Sequence, residues 1–168
     1  LEPTPELSIG GGYSHNDRTT RTRGQTGKSL YSPLTLKTTF FDAIVKYQGW
    51  AYQAEYMKMG VDNPITRDGQ GEESYAFKGQ GWNQQLSYLI SDEEGYEVAA
   101  RYTWIDPHED LAAYHQLQEV VELGLTKYFR AHRLKLQLNG SYMANDGQFA
   151  RSQPGNHWGA TFQVELGI

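Results

Sequence analysis

Apolar and polar residues alternate along eight short stretches of the chain, and the clearest of them is the last, residues 158–168. Trp158, Phe162 and Val164 fall on one face of this stretch, whereas Glu165 falls on the other. Alternation with a period of two is typical of a β-strand that has one apolar and one polar face. The pattern predicts eight strands, at about residues 7–15, 39–47, 50–59, 82–90, 96–104, 119–129, 134–142 and 158–168.

The segments between these strands are alternately long and short. Long loops are predicted after the first, third, fifth and seventh strands, the first of them polar and the third of them of mixed character. Short turns are predicted at Gln48-Gly49, Ser91–Gly95 and Arg130–Arg133. A hairpin must keep the apolar residues of both strands on one side of the sheet, so turn length is tied to the parity of the apolar positions. All three short turns satisfy this condition and predict an antiparallel meander, with Tyr47 opposite Trp50, Ile90 opposite Tyr96 and Phe129 opposite Leu134.

Aromatic residues concentrate at both ends of the predicted strands. Rows of aromatic residues at two levels are typical of the interfacial girdles of membrane barrels. We therefore expect residues 1–168 to form one domain, an all-β, antiparallel up-and-down transmembrane β-barrel of about eight strands, with both termini on the periplasmic side. The girdle at the short turns comprises Tyr47, Trp50, Tyr88, Tyr96 and Phe129, and the girdle at the long loops comprises Tyr13, Tyr56, Trp82, Trp104, Tyr142 and Trp158.

Composition narrows the function classes. The chain has no cysteine, so no disulfide is expected. Its net charge of -5 argues against a nucleic-acid partner. It contains no run of about 18 apolar residues, so a transmembrane helix is not expected. The alternative fold is a soluble up-and-down barrel or sandwich, in which the apolar face points inward and the charged residues are solvated on the outside.

Several short motifs resemble the phosphate-selective porin O and P family of bacterial outer-membrane channels. They are the segments 41–50, 53–56, 81–82 with 87–88, 96–102 and 132–138, in this order along the chain. Members of that family form barrels of about sixteen strands, so the resemblance implies that this chain corresponds to a C-terminal half. It implies a porin in the outer membrane of Gram-negative bacteria, transporting ions, including anions such as phosphate.

In a diffusion channel, the charged residues that face water determine which ions pass. Asp42 is expected opposite Glu55, where two like charges destabilise the strand pair unless a cation such as Arg101 or Lys135 lies between them. The alternative is that both carboxylates are well hydrated in a wide lumen. The first long loop carries a basic cluster that attracts anions at the channel mouth, contacts lipopolysaccharide phosphates or stays solvated. This basic loop comprises Arg18, Arg21, Arg23 and Lys28, and the predicted lumen-lining residues are Asp42, Lys46, Glu55, Glu97, Arg101, Glu122, Lys135 and Glu165.

The expected function is passive diffusion of small hydrophilic solutes or ions through an outer-membrane pore. The alternative is a narrow closed barrel that acts as a non-conducting membrane anchor or assembly scaffold. No catalytic constellation stands out, and neither a catalytic residue nor a cofactor nor a bound metal is expected, although the acidic segment 106–110 offers ligands for a divalent ion. The expected partners are outer-membrane lipid, lipopolysaccharide, transported solutes and other barrel segments or subunits.

Overall fold

The computed structural model describes residues 3–91, 95–129, 134–145 and 156–166. Apart from a single-turn 3-10 helix at Glu109–Leu111, its regular elements are β-strands. Within the described ranges there is no helix with the length and apolar character needed to cross a bilayer. The strands are β1 (Glu6–Arg23), β2 (Thr26–Tyr47), β3 (Trp50–Val61), β4 (Ile65–Arg67), β5 (Glu73–Tyr75), β6 (Gly79–Ser91), β7 (Tyr96–Pro107), β8 (Gln118–Phe129), β9 (Leu134–Asn145) and β10 (His157–Leu166).

Eight of these strands form one antiparallel sheet in the order β1-β2-β3-β6-β7-β8-β9-β10. Each strand pairs with its neighbour along the chain, which confirms the predicted meander. The remaining two, β4 and β5, form a small separate hairpin within the connection from β3 to β6. Among the described residues β1 pairs only with β2 and β10 only with β9, so the sheet is open at both edges.

Two of the three predicted hairpin registers are confirmed and one is wrong. Tyr47 pairs with Trp50, and Phe129 pairs with Leu134. At the third turn, Tyr96 pairs with Ser91 and not with Ile90. A β-bulge between Leu89 and Ser91 inserts one additional residue into β6, which parity alone does not reveal. Residues 92–94 of this turn and all of Arg130–Arg133 lie outside the described residues.

The turn between β2 and β3 shows why its two residues produce a tight hairpin. Gln48 and Gly49 both have positive φ, 47° and 84°. Two successive positive φ values define the type I′ turn, whose twist matches that of the flanking strands. Glycine adopts this conformation without a steric penalty, so the Gln48-Gly49 pair fixes the register of β2 against β3.

The prediction of a long polar loop after the first strand is wrong, because most of this segment is β-strand. β1 and β2 continue to Arg23 and from Thr26, so they form a hairpin arm closed at Gly24. Three register shifts interrupt the pairing in this arm. The β1 part of the arm is polar on both sides, so no alternation marks it as a strand, and its threonines favour extended backbone. The β2 part buries Leu30 and Leu34 in the hydrophobic cluster. The predicted basic loop is therefore a stretch of strand, with Arg18, Arg21 and Arg23 on β1 and Lys28 on β2.

The two faces of the sheet differ in chemistry, and we call them the aromatic face and the polar face. The aromatic face carries rows such as Leu7, Val45, Tyr52 and Leu86, which the register places side by side. Its girdle residues stack across strands: Trp50 on Tyr88 at 4.5 Å, Tyr56 on Trp82 at 4.7 Å and Tyr142 on Trp158 at 4.6 Å between ring centroids. The predicted cross-strand grouping of aromatic residues is confirmed at these positions.

The buried core lies beyond the long-loop girdle, at the end of the sheet where the long connections emerge. Leu36 is 2% exposed and packs in one cluster with Val61 and Ala76. The β4-β5 hairpin is tied to the arm by a hydrogen bond from the Tyr31 backbone N–H to Thr66 Oγ1, 3.1 Å. We call the two packed connections, residues 62–78 and 108–117, the rim; they meet through ring contacts of Tyr75 with Tyr114 and His115, and of Phe77 with His115.

Candidate functional site

All eight charged residues predicted to line a lumen share the polar face. The strand register places each of them on the side opposite the aromatic rows, on six different strands. Successive side chains of a strand point to opposite faces of the sheet. Each of these charged residues is next to an apolar residue of the aromatic face and therefore points to the polar face. The structure assembles these residues into separate groups, one on the central strands and others near the two edges.

Arg101 is the centre of the first group. Its Nε and Nη2 donate to Gln85 Oε1 at 3.0 and 2.8 Å, and its Nη1 lies 3.3 Å from Glu122 Oε2. Gln85, Arg101 and Glu122 occupy one cross-strand row of β6, β7 and β8. These contacts hold the guanidinium in place, while the Arg101 side chain stays 46% exposed. A fixed cation of this kind attracts anions and repels cations at short range.

A concavity of about 270 Å³ opens beside this group on the polar face. Its floor includes Ala99 and Gly124, whose small size leaves room between longer neighbours. The Tyr128 hydroxyl donates to Glu97 Oε2 at 2.6 Å. Gln137 Nε2 donates to Thr126 Oγ1 at 3.2 Å. The concavity therefore combines a cation, carboxylates and neutral hydrogen-bonding groups, a surface suited to hydrated solutes.

Asp42 and Glu55 face each other across β2 and β3, as predicted. The expectation that Arg101 or Lys135 separates them is wrong, because both cations have other partners. Glu55 instead accepts hydrogen bonds from Asn83 Nδ2 at 3.0 Å and from Gln53 Nε2 at 2.9 Å.

Asp42 lies over Gly10 of β1, where a Cβ atom would collide with its carboxylate. Neutral amides on one carboxylate and the space left by a glycine at the other accommodate the two like charges. The first glycine in the run 10–12 thus allows close side-chain approach between β1 and β2, as expected from its place inside a strand.

The two remaining cations of the predicted lumen set lie toward the sheet edges. Lys135 Nζ contacts Glu165 Oε2 at 2.8 Å, a pair between β9 and β10. Lys46 is exposed on β2, opposite Glu6 and Ala51. The cations are thus distributed across the face and do not converge on one point, which a tight phosphate site would require.

An apolar section of the polar face escaped the sequence prediction. Near the long-loop end, Phe40, Met57, Met59, Phe77 and Ile105 line a concavity of about 620 Å³. The sequence contains a signal for it, since the alternation inverts at residues 57–59 and places a lysine between two methionines. The neighbouring strand β2 does not show this inversion clearly. Phe40 and Phe41 are consecutive and both apolar, so the sequence does not indicate which face of β2 is apolar at this point.

The acidic segment 106–110 brings together three potential metal ligands where it enters the rim. One ligand atom each from His108, Glu109 and Asp110 lie within 4.8 Å of one another. Lys78 Nζ contacts Asp110 Oδ2 at 2.7 Å. This hydrogen bond, together with the charges of Lys78 and His108, lowers the pKa of Asp110 below its ordinary value. Asp106 accepts a hydrogen bond from Gln80 of β6 at 3.2 Å. The acidic segment therefore already contacts β6 and Lys78, the residue that precedes β6.

Comparison with protein-family models, with curated proteins and with solved structures finds no match for this chain. The two faces of the sheet and the groups that they carry are therefore the basis for assigning a function.

Proposed function

We propose that this chain forms part or all of a porin-like β-barrel in the bacterial outer membrane and that hydrophilic solutes and ions diffuse passively along its polar face. The aromatic face carries the proposal. Large apolar side chains remain exposed there across the sheet: Ile9 is 74% exposed, Leu123 63% and Phe162 65%. A continuous exposed apolar surface of this kind in a soluble monomer would be unusual, whereas lipid covers it in a membrane barrel.

The charges on the aromatic face support the same orientation. Between the two girdles, the described residues of this face include no charged side chain. Lys127 is at the short-turn girdle, where its Nζ lies 3.7 Å from the centroid of the Tyr96 ring. A lysine at the end of a membrane strand extends its ammonium toward the headgroups while its stem stays in the apolar layer. Lys127 occupies the position that this behaviour requires.

The open sheet edges bear on how a barrel would be completed. Unpaired backbone N–H and C=O groups in lipid cost several kcal/mol each, so β1 and β10 need partners in a membrane. A pore requires additional strands between these edges, because about eight strands alone enclose an interior that side chains fill. The polar face carries three lysine or arginine residues against five carboxylates in the predicted lumen set. This wall favours cations, and a phosphate preference would depend on basic residues elsewhere.

A narrow closed barrel is the second candidate, and the parity of the apolar residues in the two edge strands is compatible with it. If Tyr13 is aligned with Trp158 at the long-loop girdle, Ile9 falls opposite Phe162 and Leu7 opposite Val164. Both edges then keep their apolar residues on the aromatic face, and an even number of strands makes β1 and β10 antiparallel. Direct pairing would close eight strands into a scaffold that conducts little.

Reconstitution of the purified protein into planar bilayers tests the proposal. Steady openings are expected, with a reversal potential in a potassium chloride gradient that indicates cation preference. Silent but inserted protein would favour the closed scaffold. Protein that remains dissolved without detergent in a phase-partitioning assay would contradict both.

A cysteine pair at Ser8 and Gln163, on the polar sides of the two edge strands, separates the candidates independently of conductance. In the closed scaffold these positions face each other, so oxidation of Ser8→Cys/Gln163→Cys gives a cross-link within one chain. A pore with additional strands keeps the two thiols apart. The single variants Ser8→Cys and Gln163→Cys serve as matched controls.

A further inference from the structure

The distribution of apolar residues inverts beyond the long-loop girdle on β2 and β3. Phe41 and Tyr56 lie at the girdle level of these strands on the aromatic face, and the next charged residues beyond them on that face are Lys37 and Lys58. Tyr31 lies farther out, in the hairpin arm. Apolar residues continue instead on the other side, where Leu36 belongs to the buried cluster. The apolar layer therefore ends at the girdle, and the two lysines occupy the level at which headgroups begin.

The two lysines are close neighbours in the sheet. Lys37 pairs with Gly60, and Lys58 pairs with Thr39, so they are diagonal neighbours on adjacent antiparallel strands. Such positions are about 7–8 Å apart between Cα atoms, within reach of a shared ligand for two long side chains. His15 stands opposite Lys37 on β1. All three side chains are exposed.

These lysines lack the carboxylate partners that neutralise a neighbouring cation. In the described part of the chain, neither Lys37 nor Lys58 makes an ion pair, whereas Lys78 is paired with Asp110 at 2.7 Å. The carboxylate nearest to Lys58 in the sheet order is Asp106, which Gln80 separates from it and engages by a hydrogen bond. On β1, Asp17 lies two residues beyond His15 and accepts a hydrogen bond from Thr35 Oγ1 at 2.8 Å. The positive charge of the two lysines is thus only partly compensated, by a carboxylate that makes no ion pair with either of them.

The cationic surface continues outward along the hairpin arm. Arg18, Arg21, Arg23 and Lys28 are exposed and, among the residues described, have no ion-pair partner. Arg21 Nη1 donates to the Gly27 carbonyl at 3.1 Å, which leaves its other donors available. On the aromatic face, Asp106 of β7 shares the cross-strand row of Lys58, and Glu119 of β8 lies in the girdle row, opposite Trp104. The positive charge is therefore confined to the β1-β3 side of the sheet.

We propose that Lys37 and Lys58 bind the phosphate groups of lipopolysaccharide in the surrounding leaflet, with the arm extending the contact. The inference rests on the proposed function, because it requires the long-loop girdle to face the outer leaflet. Complementarity of charge identifies the ligand: phosphorylated glycolipid headgroups place their anions at the edge of the apolar layer, where these ammonium groups lie. The aliphatic stems of both lysines can cover the adjacent apolar surface at the same time.

Titration of detergent-solubilised protein with lipid A tests this proposal, with bound lipid counted by native mass spectrometry. Lys37→Gln/Lys58→Gln is expected to weaken binding about 25-fold, since each lysine near an anionic surface contributes a factor of about five. The single variants should each lose about fivefold. Lys46→Gln, which removes the same charge from the polar face near the short turns, should bind as the unaltered protein does.

Three results would overturn the inference: unchanged affinity of the double variant, equal binding of lipid A stripped of its phosphates, or displacement of lipid A by equimolar inorganic phosphate. The double variant is checked for folding by its far-ultraviolet circular dichroism, and the single variants carry the test if it does not fold. Protein that inserts and conducts while these lysines prove irrelevant would refute only this inference. Protein that stays out of detergent micelles would refute the proposed function itself.

Discussion

The aromatic and polar faces are built from alternate residues of the same strands, yet they are organised in different ways. The aromatic face is uniform, and its specific contacts are mainly ring pairs at the girdles, such as Trp50 with Tyr88. The polar face is a set of directed contacts, such as those from Arg101 to Gln85 and Glu122. The contacts of the aromatic face require only that its side chains be apolar. The contacts of the polar face depend on the identity and position of each polar group.

This difference predicts different responses to substitution. An apolar exchange on the aromatic face preserves contact with lipid, but a charge there loses its hydration. A charge on the polar face remains near water, and the loss of one partner is partly compensated by solvent. Neighbouring residues such as Leu123 and Glu122, which point to opposite sides, therefore provide matched tests.

The largest effect is expected for Leu123→Arg in the middle of the aromatic face. An arginine near the bilayer midplane costs about 2–4 kcal/mol of folding free energy in membrane barrels. Asn139→Arg places the same side chain on the polar face of the adjoining strand β9 and should cost less than about 1 kcal/mol. Urea unfolding in lipid vesicles measures both free energies. Equal costs would contradict the assignment of lipid to the aromatic face.

A smaller effect is expected at the girdle, for Trp50→Ala. Loss of the ring contact with Tyr88 and of interfacial anchoring should reduce the free energy of unfolding by about 1–2 kcal/mol. Gln53→Ala, on the polar side of the same strand, removes one hydrogen bond to Glu55 and should cost about half as much. The same unfolding assay applies, and a larger loss for Gln53→Ala would reverse the ranking of the two faces.

Where the alternation is strict, sequence alone was sufficient to predict the sheet. The meander order and the registers at Tyr47 and Phe129 follow from parity, because a one-residue shift would move every side chain to the wrong face. Parity fails to predict the register at Ile90 because the β-bulge there adds one residue to β6. The residue types around the bulge do not reveal this insertion.

The hairpin arm and the rim were not predictable in the same way. The β1 part of the arm has no apolar face to impose alternation, so Thr19, Arg21 and their neighbours resemble a polar loop in the sequence. The candidate site was predictable as a set of residues sharing a face, but not as pairs. Which carboxylate Arg101 contacts depends on side-chain reach across three strands, and hence on the assembled sheet.

A still smaller change in stability is expected for Arg101→Gln, with a clearer change in conduction. Its contact with Glu122 joins two partly exposed side chains at 3.3 Å, so its loss should cost less than about 1 kcal/mol. The pore wall becomes more acidic, and the reversal potential should shift toward stronger cation preference. Lys46→Gln makes the same change in net charge without breaking this pair. An identical shift in both variants would show that total charge matters more than the Arg101 group.

The smallest effect, and one of opposite sign, is expected for Asp42→Asn. Asp42 and Glu55 are directly opposed like charges, and opposed like charges destabilise an antiparallel pair by a few tenths of a kcal/mol to about 1 kcal/mol. Neutralising Asp42 should therefore raise the free energy of unfolding slightly. The gain should shrink at high salt, which screens the repulsion. Glu165→Gln is the matched control, because it removes a carboxylate that faces Lys135 and should give a small loss. A loss of stability in Asp42→Asn would mean that a favourable interaction stabilises the Asp42 carboxylate. The repulsion from Glu55 would then not be the dominant interaction of Asp42.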